Sequence, residues 1–217
     1  MTWTGHAFPV VIAAPSGTGK TTLAHALVDR NDGVVFALSA TTRPPRAAER
    51  HERDYRFVDD AAFDDLAASG ALLEWAKVHS HRYGTLQDGV RRALAAGHCV
   101  VLDIDIQGAH HVRTLFESAV LVFILPPSAD ELERRLDGRG TESDGERAIR
   151  LQSALNELGA VDEFDYIVVN DDFETAVAAL EGIVEAERHR RTRYVALDER
   201  VSQLERIIQV RLEGARE

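Results

Sequence analysis

Phe8-Pro9-Val10-Val11-Ile12-Ala13 runs directly into Ala14-Pro15-Ser16-Gly17-Thr18-Gly19-Lys20-Thr21, and this junction decides the fold. An apolar run without polar alternation reads as a short strand buried on both faces, the kind found in parallel sheets covered by helices. Small residues follow it, and residues 21–30 have helical composition. Strand, small-residue loop and helix in that order aim successive backbone N–H groups at one point beside a helix N-terminus, a natural cradle for a polyphosphate. The spacing is that of a phosphate-binding loop with Ala14 in place of its first glycine. In such a loop Lys20 reaches the β/γ oxygens and the Thr21 hydroxyl sits on Mg²⁺. Alanine at position 14 matters only if that residue needs a positive φ.

Working outward, three further apolar runs appear at 99–104 (CVVLDI), 120–125 (VLVFIL) and 166–169 (YIVV), each separated from the next by Ala-, Glu- or Arg-rich stretches. Buried strands alternating with helices predict an α/β fold, a three-layer parallel sheet flanked by helices with right-handed crossovers. Between 39 and 90 the rhythm breaks into Pro44-Pro45, a dense charge run and alternation such as Tyr55-Arg56-Phe57-Val58. That segment is expected to be a small, mostly antiparallel inserted lobe. The polar, Gly-rich residues 137–147 (DGRGTESDGER) are expected to form a lid, placed at about 137–150. The body then comprises 1–38 and 91–195, and 196–217 a C-terminal helix for which Asp198 is a candidate cap. Along it Val201, Leu204, Ile208 and Leu212 form an apolar stripe, expected to pack on the body, with a homodimer contact as the alternative.

Composition bounds the function. The 217 residues carry 25 basic and 36 acidic side chains, a formal charge of −11, and 45% are hydrophobic. The size suits one domain with an inserted lobe. The acidic balance argues against extensive nucleic-acid binding, and the basic run 188–193 (RHRRTR) is expected to be a solvated helix face. One cysteine, Cys99, forms no internal disulfide and points to a reducing compartment. The N-terminal stretch lacks a basic n-region, and its apolar run is too short to span a membrane. A soluble, cytoplasmic protein is expected. His79-x-His81 and His110-His111 lack a third ligand or a CxxC partner, so zinc is not expected.

Charge is unevenly placed. Residues 41–58 hold five Arg against three acids, whereas 59–184 hold ten basic against 24 acidic groups. Of 25 basic residues only Lys20 and Lys77 are lysines. An isolated arginine patch suits a small anionic substrate, because the planar guanidinium grips phosphate bidentately.

The segments APSGTGKTT (14–22), SATTRPPR (39–46), DYRFV (54–58), LLEWAKVHSHRYGT (72–85), VLDIDIQGA (101–109), LPPSADELERRLDGRG (125–140) and DYIVVND (165–171) together resemble the guanylate kinase family, in order and in spacing, over roughly residues 8–185. The resemblance implies Mg²⁺-dependent phosphoryl transfer from ATP to GMP. It implies that Lys20, Arg139 and Arg150 are catalytic, with Arg134, Arg135 and Arg147 either assisting or pairing with acids. ATP would be bound by Ala14, Pro15, Ser16, Gly17, Thr18, Gly19, Lys20, Thr21, Thr22 and Asn170. The GMP phosphate would be held by Arg43, Arg46, Tyr55 and Tyr83, and guanine read by Ser39, Glu74, Thr85 and Asp105. Mg²⁺ would sit on Thr21, with Asp103 joining through water or the Lys20 network. The physics of Glu74 agrees, since guanine offers two adjacent N–H donors and adenine would leave the carboxylate badly paired. Three departures stand out: Ala48 and Glu52 where the family has glycines, and His81 where it has Asn before Tyr-Gly-Thr.

Two other readings exist. A non-catalytic guanylate-kinase-like interaction module would need no intact phosphate loop and lid arginines, yet both are present. A related P-loop kinase acting on a sugar phosphate would not need Ser39, Glu74 and Thr85.

Overall fold

A computed structural model of the chain describes residues 5–46, 49–78, 80–137 and 144–215, with the side chains of 137 and 144–147 left out. Arg139, Ala48 and His79 lie outside these residues, as does the Arg147 side chain. In chain order the elements are β1 (Pro9–Ala13), α1 (Lys20–Arg30), β2 (Val34–Phe36), β3 (Ser39–Thr41), β4 (Arg56–Phe57), α2 (Asp60–Ala68), β5 (Leu72–Val78), β6 (His81–Leu86), α3 (Gln87–Ala95), β7 (Cys99–Asp103), α4 (Ile106–Leu115), β8 (Val120–Leu125), α5 (Ala129–Asp137), α6 (Asp144–Leu158), β9 (Tyr166–Val169), α7 (Phe173–Arg188) and α8 (Leu197–Gly214).

Five strands form a parallel sheet in the order β2-β7-β1-β8-β9. The four apolar runs supply β1, β7, β8 and β9. The fifth strand, β2, is three residues long with one buried side chain, too short a run to read as a strand in advance. All five β1 side chains are buried, as its central place between β7 and β8 demands. Phe8, Leu23, Leu27, Val122, Ile124 and Leu180 fill one face; Val11, Leu102, Val112 and Leu121 fill the other. Each such side chain contributes about 1.5–3 kcal/mol through burial.

The second sheet runs β4-β3-β6-β5 and is mixed. The β3–β6 and β5–β6 pairs are antiparallel, while β3–β4 is parallel. Its small core gathers Ala40, Phe63, Leu72 and Leu86. Helix α2 starts where it does because the Asp59 carboxylate accepts from the Ala62 N–H at 2.8 Å, and Asp172 caps α7 in the same way through Thr175.

The end of the chain departs from expectation twice. Arg193 is not solvated. It is 5% exposed, donates to Glu187 at 2.5 and 3.2 Å, and lies 3.8 Å over the Phe8 ring, while Tyr166 donates to the same carboxylate at 2.7 Å. A buried charge persists only when paired in this way. Second, α8 does not pack on the body: none of its residues is buried. Its cap position is Ala196 at φ 53, not Asp198, and this left-handed residue redirects the chain.

Candidate active site

The loop between β1 and α1 curls through two glycines that are left-handed, Gly17 at φ 90 and Gly19 at φ 85. A Cβ on Gly19 would meet the Asn170 side-chain nitrogen at 2.9 Å. Ala14 has no positive φ, so replacing the first glycine costs nothing in backbone strain. The loop is braced from below. Thr18, fully buried, donates to the Pro15 carbonyl at 2.9 Å, and Asn170 donates its amide to the Thr18 carbonyl at 2.6 Å. Arg135 reaches the Thr18 and Asn170 carbonyls at 3.3 and 3.2 Å. These bonds occupy the Pro15 and Thr18 carbonyls and hold the curl of the loop.

At the C-terminal end of β7, Asp103 receives both candidate phosphate-handling side chains. Lys20 Nζ lies 2.8 Å from one carboxylate oxygen and donates to the Ile104 carbonyl at 2.7 Å, while Thr21 Oγ1 donates to the other oxygen at 2.5 Å. Asp105, two residues on, caps α4 by accepting from the Gly108 N–H at 2.8 Å. Ends of parallel strands beside a crossover are where open α/β sheets place ligands.

One cleft of about 870 Å³ is lined by the whole loop from Ala14 to Thr22, by Arg43, Arg46 and Tyr55 from the β3–β4 connection, by Tyr83 of β6, and by Asp105, Arg135 and Arg150. Arg150 is buried and donates to the Ser16 hydroxyl at 3.3 Å and the Leu136 carbonyl at 3.4 Å. Arg134 instead pairs with Glu131 at 2.7 Å on the surface. Together with Arg135, through charged hydrogen bonds, it holds the Glu131 carboxyl at about 2.

Ser39, Glu74 and Thr85 are not among the residues lining this cleft. Strand register sets them in a row instead: Ser39 faces Thr85, and Glu74 faces Thr85 from the other side. The Glu74 carboxylate accepts from the Thr85 hydroxyl at 2.5 Å and its amide at 3.1 Å. Burial pushes its pKa up, opposed by the Thr85 bonds and reinforced by Asp105.

Two residues here, Glu49 and Glu157, escaped the reading of the sequence. Glu49 accepts from Arg43 at 2.7 Å and from the Arg46 N–H at 2.7 Å; burial works against its charge, but these donors win and hold its carboxyl low. Glu157 lines the cleft with one carboxylate oxygen buried and lacking a hydrogen-bond partner among the described residues. Burial raises its pKa, against Ser153, Lys20 and the Ser16 amide. No local pattern in the sequence marks these contacts. Glu52 answers one departure: it keeps a left-handed φ of 63, and its charge is spent on Arg56 at 2.6 Å. Burial lifts the Tyr55 hydroxyl far above its ordinary range, with Asp103 and Tyr83 adding to the effect.

A parallel sheet, a glycine-turned loop on its central strand, and a lysine and hydroxyl meeting at the next strand's acid define the class of P-loop phosphotransferases. The relatives are narrower. The family model described as Guanylate kinase matches residues 6–187. A guanylate kinase of Anaeromyxobacter dehalogenans is 49% identical over 183 residues, spanning 83% of this chain and 81% of that one. One from Polaromonas sp. is 45% identical over 188 residues, 87% and 90% of the two chains. The crystal structure of guanylate kinase from Anaplasma phagocytophilum superposes with a TM-score of 0.79 at 31% identity, over 91% of this chain and 95% of that one. The chain belongs to the guanylate kinase family.

Proposed function

We propose that the chain transfers the γ-phosphoryl of ATP to GMP, giving ADP and GDP, with the loop as donor site and the arginine-bearing insertion as acceptor site. The observation that carries this is the shared cleft, which joins Lys20 and Thr21 to Arg43, Arg46, Tyr55 and Tyr83 in one cavity. The acceptor phosphate is already ionised, so no strong base is required. Positioning and charge neutralisation supply the rate.

In this reading the amides of Ser16–Thr22 bind the ATP phosphates. Lys20 moves from Asp103 toward the β/γ oxygens. Arg150, and Arg139 from the lid, neutralise charge on the transferring group. Asn170 serves ATP by fixing the loop's shape. Arg43, Arg46, Tyr55 and Tyr83 hold the GMP phosphate in line; Ser39, Glu74, Thr85 and Asp105 select guanine. The hard oxygens of Thr21 and Asp103, side by side at the loop's end, suit Mg²⁺, which favours few protein ligands and several waters. Bound there, it would neutralise charge on the phosphates, with Asp103 acting through water. Closing 39–90 and the lid at 137–150 onto the body 1–38 and 91–195 would exclude water and suppress ATP hydrolysis.

No helix among the described residues is long and apolar enough to cross a membrane. The acidic surface and lone buried thiol fit a cytoplasmic enzyme that binds neither nucleic acid nor lipid. Pairing of two chains through 197–214 belongs to the same reading.

The test is a coupled assay of ADP formation from ATP with GMP, AMP, UMP or a ribose phosphate as acceptor. GMP-dependent turnover far above the others is expected. Its absence in folded protein, or preference for the sugar phosphate, overturns the reading.

A further inference from the structure

Helix α8 is an eighteen-residue helix with none of its residues buried. Val201, Leu204 and Ile208 are 40, 48 and 56% exposed, and Leu197 continues the line one turn earlier. Most helical stability in proteins comes from packing an apolar face. An apolar seam at spacings of four, three and four residues is the pattern of a two-stranded coil, with Leu197 and Leu204 at one core position and Val201 and Ile208 at the other.

We infer that the partner is a second copy of this chain, aligned parallel, so that two α8 helices form a short coiled coil on a two-fold axis. This deepens the pairing reading above and commits it to a register. The flanks of the seam decide the direction. One side carries Arg200 and Ile207; the other carries Asp198, Glu205 and Leu212. In a parallel pair each flank meets the opposite flank of the other copy, five residues further on. Arg200 then faces Glu205 and Ile207 faces Leu212, so charge meets opposite charge and apolar meets apolar at both positions. An antiparallel pair sets like flanks together, opposing acid to acid or acid to Leu212. A β-branched Val201 and Ile208 alternating with Leu197 and Leu204 is also the combination that favours two parallel strands.

A lipid surface fits less well. Interfacial helices carry a basic polar face, whereas α8 holds four acids and three arginines. No α8 residue lines the active-site cleft, so pairing and turnover are separable.

The test measures the mass of the full chain by sedimentation across protein concentration, then repeats it for Leu204→Glu/Ile208→Glu. A monomer–dimer equilibrium in the micromolar range is expected. The double variant should be monomeric with unchanged kcat, which also shows that it folds. Register is read from Arg211→Cys, the next core position. In a parallel coil the two thiols adjoin and mild oxidation links the copies. In an antiparallel overlap centred on Leu204 they lie about 21 Å apart, far beyond disulfide reach. Cys99 is buried, so the unaltered chain is the control. A monomer at every concentration, or a dimer that survives the double variant, overturns the pairing. A dimer without the Arg211→Cys disulfide overturns the parallel register alone.

Discussion

Under the proposed function, the donor loop and the acceptor insertion solve one problem, holding a phosphate, by opposite means. The loop uses backbone. Its two left-handed glycines, the buried Thr18 and the Asn170 amide fix the amides before any anion arrives, and one lysine adds charge. The insertion uses side chains. Arg43 and Arg46 are held by Glu49, an internal acid occupying part of the fork that a phosphate would take, and Glu52 sits in strained backbone nearby. Backbone amides have no rotamers to lose, so the loop is preorganised by folding itself. Arginines lose side-chain freedom on binding, and a resident counter-ion limits that loss. The donor site should therefore fail abruptly when altered, and the acceptor site by degrees.

The largest break is expected from Lys20→Ala. Loss of a charge aimed at the transferring group should lower kcat about a thousandfold, roughly 4 kcal/mol, with Tm nearly unchanged. Near-normal turnover would sink the donor half of the comparison.

Next comes Glu74→Gln, which should lower kcat/KM for GMP about a hundredfold while leaving KM for ATP alone. The same residue sets a pH dependence. Burial raises the Glu74 pKa, so as pH falls it protonates earlier than an ordinary glutamate, and the guanine N–H donors that the proposed function assigns to it would lose their acceptor. KM for GMP should rise on the acid side, and Glu74→Gln should flatten that limb. The stability effect has the opposite sense. A carboxyl raised above its unfolded value destabilises its charged form, so this contribution weakens stability as pH climbs from the unfolded value through the raised one.

Glu49→Gln sharpens the contrast further. If the acid orients Arg43 and Arg46, KM for GMP should rise about five- to tenfold with kcat almost unchanged. A fall in KM would mean that Glu49 competes with the substrate phosphate instead. The smallest effect is reserved for Glu52→Gly. Releasing the left-handed strain, less the loss of an exposed ion pair to Arg56, should raise Tm by about 1–3 °C in a thermal melt.

Legibility in the sequence follows the same divide. β1 and the loop were readable because their chemistry is local: an apolar run, then the small residues that a tight anion cradle requires. Arg43, Arg46, Tyr55 and Tyr83 gain meaning only together, since the second sheet assembles them across a stretch of some forty residues. The alignment of Ser39, Thr85 and Glu74 is a matter of strand register, which composition does not encode. Glu49 and Glu157 look like any surface acid. Arg193 read as solvated because its partner Glu187 and its aromatic platform Phe8 come from different parts of the fold. The α8 stripe was visible, but a stripe records only that something covers it, not what.

The clasp of Phe8, Glu187 and Arg193 bears on how the enzyme is made. His6 donates to the Arg193 carbonyl at 2.6 Å, Gly5 bridges Tyr194, and the guanidinium roofs Phe8. β1 itself lies between β7 and β8, strands that follow it by some ninety and a hundred and ten residues. A strand synthesised well ahead of both its neighbours is thus secured only by residues made much later. A chain halted anywhere before Arg193 carries a complete phosphate-loop sequence on a strand still missing its final anchor.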